Sequence, residues 1–169
     1  KNNEFASLTN VTDYLIVTNP TNLYIDNIDQ IIWYNKLLST MAELAIEKNG
    51  TLGFVVSTTR AVKADDYRHI IRNWGIYENY LCPDWNQNGY LLIVGETEIV
   101  PTFTVSCWDG NYDSRDNTIH WTDSPYASTG GEDIHPEICI GRIIGNDAND
   151  LIIPLETSLK VKKGEKEFC

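Results

Sequence analysis

Several things are scarce or missing in this chain, and each absence removes a class of function. Four cysteines (Cys82, Cys107, Cys139 and Cys169) are scattered with no CxxC or CxxxC pair, and only three histidines accompany them. Structural zinc sites need closely spaced Cys or His ligands, so that chemistry is excluded. No run of about 18 apolar residues exists, so no helix is expected to span a membrane. The opening KNNEFASLTN has no apolar signal core, so any targeting segment is expected to have been removed or to lie outside this piece. Basic residues are few: 13 Lys and Arg face 24 Asp and Glu, for a formal net charge of -11. Nucleic-acid binders neutralise phosphates with Lys and Arg, so nucleic acid is not an expected partner, nor is an anionic membrane. The even cysteine count leaves the disulfide state open.

What is present suits one globular domain. The 169 residues are 42% hydrophobic, enough for a single core in a domain of ordinary size. Asp13 to Thr18 (DYLIVT) reads as a buried strand ended by Asn19-Pro20. Asp26 then offers a helix cap, and Ile28, Ile31, Tyr34, Leu38, Met41 and Ala45 form an apolar stripe at helical spacing. Lys48 followed by Asn49-Gly50 predicts the stop of that helix, of about 20 residues. Leu52 to Ser57 is a second strand. Asp65 and Asp66 can cap a second helix with Tyr67, Ile70, Ile71 and Trp74 on one face, which Gly75 weakens or ends. Tyr90 to Val94 (YLLIV) is apolar on both faces, as in a parallel sheet covered by helices. Glu137 to Ile143 is a fourth strand. Leu151, Ile152, Leu155 and Leu159 mark a last helix, which Pro154 should delay or kink.

This alternation predicts an α/β domain in three layers, helix–sheet–helix, with a mostly parallel, Rossmann-like sheet. The segment 102–122 departs from it and reads as a β-hairpin or long loop insertion. Residues 1–169 form a single domain on this reading, with a charged tail at 160–169.

The candidate chemistry is thin. Gly95 follows the third strand, but one glycine with Glu96 and Glu98 beside it cannot cradle phosphate. Cys107 ends an apolar segment, FTVSCWDG, as a cysteine nucleophile would, and His120 across the hairpin is the one base in reach. His69, on the apolar face of the second helix beside Ile70 and Ile71, reads as a helix-face residue. No third, orienting group accompanies Cys107 and His120, so a buried packing cysteine is the preferred reading. The loop residues Asp109, Asn111, Asp113 and Asp116 offer oxygens to calcium. Ser114 and His120, however, stand where a calcium loop wants Gly and Glu, so a solvated turn is preferred.

Four pieces of sequence, in order, resemble the first half of the catalytic domain of gingipain-like cysteine peptidases, which have a caspase-like fold. They are IIRNW with GYLLIVGE, then Glu98 to Pro101 (EIVP), then Thr122 to Ala127 (TDSPYA), then Glu132 to Ile143 (EDIHPEICIGRI). The departures are Glu96 in place of the usual Asp, His135-Pro136, and Gly145 where the family often has proline. The resemblance implies a parent protein that hydrolyses peptide bonds through a Cys–His dyad lying downstream of this piece. It also implies that Cys107 and His120 are not that dyad, and that the parent is secreted or at the cell surface; no cofactor is expected, calcium aside. The expected partners are the catalytic half of the same protein and, for the parent, a peptide or protein substrate; self-association of the fragment is also expected. Two readings stay open beside this: a standalone binding or structural module, and a module stabilised by calcium at Asp109–Asp116.

Overall fold

Five-residue apolar runs with β-branched residues build the centre of the molecule. The computed structural model describes residues 12–26, 31–56, 63–76, 81, 85–106, 119–130, 135–162 and 164. Four parallel strands form the main sheet among these residues: β1 (Tyr14–Thr18), β2 (Thr51–Phe54), β3 (Tyr90–Val94) and β6 (Cys139–Ile143), in the spatial order β2-β1-β3-β6. In register, Ile16 faces Leu52 on one side and Leu92 on the other, and Leu92 in turn faces Gly141. Helices α2 (Ile31–Glu47) and α6 (Ala148–Lys162) pack on each other, while α3 (Ala64–Ile76) contacts the short helices α4 (Trp85–Asn88) and α5 (Ser124–Ala127). The two helical layers bury Leu15, Ile16, Val17, Leu91, Ile93 and Val94 of the sheet against Met41, Leu44, Trp74 and Leu155, among others. Strands β4 (Phe103–Ser106) and β5 (Ile119–Thr122) make a separate antiparallel pair. The α/β class and the mostly parallel sheet are therefore those expected from the alternation of strands and helices.

The local differences have physical causes. Asn19-Pro20 does more than end β1: it starts a helix, α1 (Pro20–Asp26). The Asn19 side-chain oxygen accepts the N–H groups of Thr21 (3.0 Å) and Asn22 (3.1 Å), and Pro20 fills the first helical position, where no donor is needed. Asp26 is the last residue of α1, and residues 27–30, where the turn it is expected to cap would lie, are outside the described residues. The second helix spans 17 residues from Ile31, and Ile31 itself is exposed; the buried stripe is Leu37, Thr40, Met41, Leu44 and Ala45. Its stop is the expected one: Asn49 takes φ 50° and Gly50 donates to Ala45 O at 2.7 Å. The second strand ends at Phe54, short of Ser57. Asp66 reaches back to the Lys63 N–H (3.2 Å) from inside the first turn of α3, so it acts from within the helix and not as its cap. His69 is exposed, not packed on the apolar face. Of the two expectations for Pro154, the late start does not hold: the last helix begins at Ala148 and carries the proline inside it. Pro154 has no N–H to offer the carbonyl of Asp150, a loss that the burial of Leu151, Ile152 and Leu155 offsets.

Candidate functional site

In an open parallel sheet, the loops at the carboxyl ends of the strands are where function concentrates. Here those loops are organised around one side chain, Arg142, near the end of β6. Its Nε donates to Asp123 Oδ2 (2.8 Å) and its Nη2 to Asp123 Oδ1 (2.7 Å), a two-pronged pair. Its Nη1 donates to Gly95 O (2.7 Å) and to Val100 O (2.8 Å). Four of the five guanidinium donors are used, in the planar fork that suits a carboxylate. The pair is largely withdrawn from water, with side-chain exposures of 10% for Arg142 and 20% for Asp123.

The loop after β3 is held by carbonyls as much as by packing. Besides the two that Arg142 takes, Asn22 of α1 donates to Glu98 O (3.1 Å) and Ile99 O (3.3 Å). Tyr67 of α3 donates to Ile99 O (3.3 Å), and Tyr126 of α5 to Pro101 O (2.5 Å). The Tyr67 hydroxyl also accepts a bond from Asn19 Nδ2. Burial pushes the Tyr126 phenol far above its ordinary range, with the Arg142 charge opposing, so it stays a donor at any physiological pH. Burial raises Tyr67 likewise, against the pull of the Asn19 bond. Phe103 of β4 packs edge-on against Tyr126 at 5.0 Å, which seats the base of the β4–β5 pair on the same cluster.

Gly95 has a conformational task here. Its φ is +119°, and an added Cβ would lie 2.6 Å from Ile99 Cγ2. The glycine permits a tight turn that brings Ile99 back over the strand end; its amide is used up by Ile143 O at 3.0 Å. That geometry agrees with the exclusion of a phosphate cradle. Beside the loop lies a cleft of ≈ 190 Å³ lined by Glu96, Glu98, Ile99, Gly145, Asn146, Asp147 and Leu151. Asp147 is committed to helix capping: its Oδ1 accepts the Asp150 N–H (2.9 Å), while Asp150 Oδ2 accepts the Asn146 N–H (3.2 Å).

The residues proposed from sequence are not assembled into a reaction centre by the described residues. His120 is exposed on β5 and pairs in register with Val105. Cys107 lies outside the described residues, as do Asp109, Asn111, Asp113 and Asp116. Among the described residues no group of three or more His, Cys, Asp or Glu side chains could hold a metal ion. Also among them, no helix is long and apolar enough to cross a membrane. Cys139 is a free, exposed thiol at the start of β6.

The segments picked out by resemblance do come together. Gly95 belongs to GYLLIVGE, Val100 to EIVP, Asp123 to TDSPYA and Arg142 to EICIGRI, and one guanidinium joins all four. The family model of Peptidase family C25 matches residues 7–167. The chain belongs to Peptidase family C25. That family consists of cysteine peptidases, and its model takes in nearly the whole of this sequence. No curated protein and no solved structure matches it.

The Arg142–Asp123 clamp was not singled out from the sequence, although both residues sit in the quoted segments. An arginine inside an otherwise apolar strand was the available signal, because a buried charge must be paired. Asn19 was missed for a similar reason: Asn before Pro is a helix start as readily as a strand end.

Proposed function

We propose that this member of family C25 is the N-terminal, non-catalytic subdomain of a cysteine endopeptidase whose Cys–His dyad is supplied by sequence after Cys169. The reading rests on one observation above all. Among the described residues, the segments that carry the family likeness converge on a structural clamp, Arg142 with Asp123, Gly95 and Val100, and bring no nucleophile and base together there. In the parent, cysteine attacks the peptide carbonyl to form the acyl-enzyme, while histidine moves the proton to the leaving amine. This subdomain supplies a rigid wall to the catalytic half. A secreted or cell-surface setting follows from the same reading.

Among the described residues the two edges of the sheet differ in exposure, which supports a partner on the β6 side. At the β2 edge Thr51, Leu52 and Gly53 are buried. At the β6 edge Cys139 and Gly141 are exposed, Tyr90 on neighbouring β3 is 46% exposed, and Ile144 just beyond β6 is 66% exposed. Nothing among the described residues requires Gly141 to be glycine: an added Cβ meets only Leu92 Cδ1, at 3.8 Å. A bare backbone on an edge strand suits close approach of another backbone, and the catalytic half is its proposed occupant.

The parent polypeptide tests this. With Cys107→Ala it should hydrolyse peptides at the wild-type rate, and with the downstream dyad cysteine replaced it should not. Loss of turnover on Cys107→Ala would overturn the assignment.

A further inference from the structure

We propose that Asn49-Gly50 and Asn88-Gly89, the two Asn–Gly steps of the sequence, are latent deamidation sites held shut by the hydrogen bonds that end α2 and α4. At such a step the glycine nitrogen attacks the amide carbon of the asparagine side group. A ring C–N bond forms, the C–N bond of that amide breaks, and ammonia leaves with the proton that the glycine nitrogen gave up through solvent. Water then opens the succinimide at either carbonyl, leaving aspartate or isoaspartate. Glycine favours the attack because no Cβ obstructs the approach.

Both asparagine residues are exposed, so water reaches them. The obstacle is the nucleophile. Gly50 N donates to Ala45 O at 2.7 Å, and Gly89 N donates to Trp85 O at 2.8 Å. Each nitrogen must lose that bond and swing toward the side group of the residue before it. Close packing opposes the swing as well: a Cβ on Gly50 would lie 2.6 Å from Tyr14 O, and one on Gly89 would lie 2.3 Å from Trp85 Cδ1. The glycine backbone is therefore closely packed on that side while the helix end is closed.

Both steps are helix-to-strand junctions, leading into β2 at Thr51 and β3 at Tyr90. Isoaspartate adds a methylene to the backbone just before a sheet strand, and aspartate places a negative charge at the carboxyl end of a helix. Either product disfavours reclosure. Acid at position 49 or 88 thus records a past opening of that junction.

The test incubates the full polypeptide at mildly alkaline pH, native and in urea, and reads the peptides holding residues 49 and 88 by mass spectrometry. Both steps should convert in urea. In the native protein each should convert at least about tenfold more slowly, the factor supplied when opening breaks roughly one net backbone hydrogen bond. Asn49→Gly, which suits the left-handed helix end, should abolish product at 49 and leave position 88 unchanged. Equal native and urea rates at a step overturn the lock there, and no conversion in urea overturns the site itself.

Discussion

Replacing Arg142 with alanine is the sharpest perturbation of the clamp. It strips the Asp123 carboxylate of its paired donors and leaves the Gly95 and Val100 carbonyls without theirs. Removing one partner of a buried ion pair costs about 3–5 kcal/mol, since the other charge stays behind in a poorly solvated place. Asp123 keeps 20% exposure, which places the expected loss near the lower end, about 3 kcal/mol. That is a large share of a domain stability on the order of 5–15 kcal/mol. With a urea dependence of about 1–3 kcal/mol per molar, the unfolding midpoint should drop by roughly 1–3 M. Arg142→Lys should recover little, because an ammonium cannot reproduce the fork that spans Asp123 and two carbonyls. In the double mutant with Asp123→Ala the two losses should fall short of additivity by about 1.5 kcal/mol or more. A loss below about 1 kcal/mol for Arg142→Ala, the range of an exposed pair, would refute the reasoning.

Other expectations follow from the same packing. Gly95→Ala meets both φ +119° and Ile99 at 2.6 Å, and should lower stability by about 1–3 kcal/mol in urea titration. Gly141→Ala, with only Leu92 at 3.8 Å, should be neutral or gain up to about 1 kcal/mol in this protein. Asn19→Ala removes the cap of α1 and the bond to Tyr67, and should cost about 1–2 kcal/mol by the same titration. Tyr126 has a folded-state pKa raised by burial, so its contribution is fully present below the unfolded value of about 10 and is lost as pH rises above it. Stability should therefore decline above about pH 10, and Tyr126→Phe should reduce that decline when unfolding is followed against pH.

Much of the fold was legible because burial writes itself as continuous apolar runs. YLLIV gave β3 its bounds, and Asn49-Gly50 marked the end of α2, since a left-handed residue and a glycine are what that stop requires. Boundaries slipped where one residue type serves two roles. Asn19-Pro20 ends a strand and starts a helix, and Asp66 acts on the N–H of Lys63 from inside the helix. At Pro154 local propensity favours a late start, but Leu151, Ile152 and Leu155 are buried, and tertiary packing starts the helix at Ala148. The site was less legible. Arg142 and Asp123 lie 19 positions apart, and each segment alone explains neither charge. Only the crossover from β3 through α5 to β6 brings them together, and that is a long-range fact.

The proposal to be tested is that this member of family C25 shapes a peptidase without performing the reaction. Its most direct test is peptide hydrolysis by the purified 169-residue protein, paired with labelling by a thiol-directed active-site probe. The expected result is no turnover and no stoichiometric labelling of Cys107. Hydrolysis that Cys107→Ala abolishes, with probe attached to that cysteine, would contradict it.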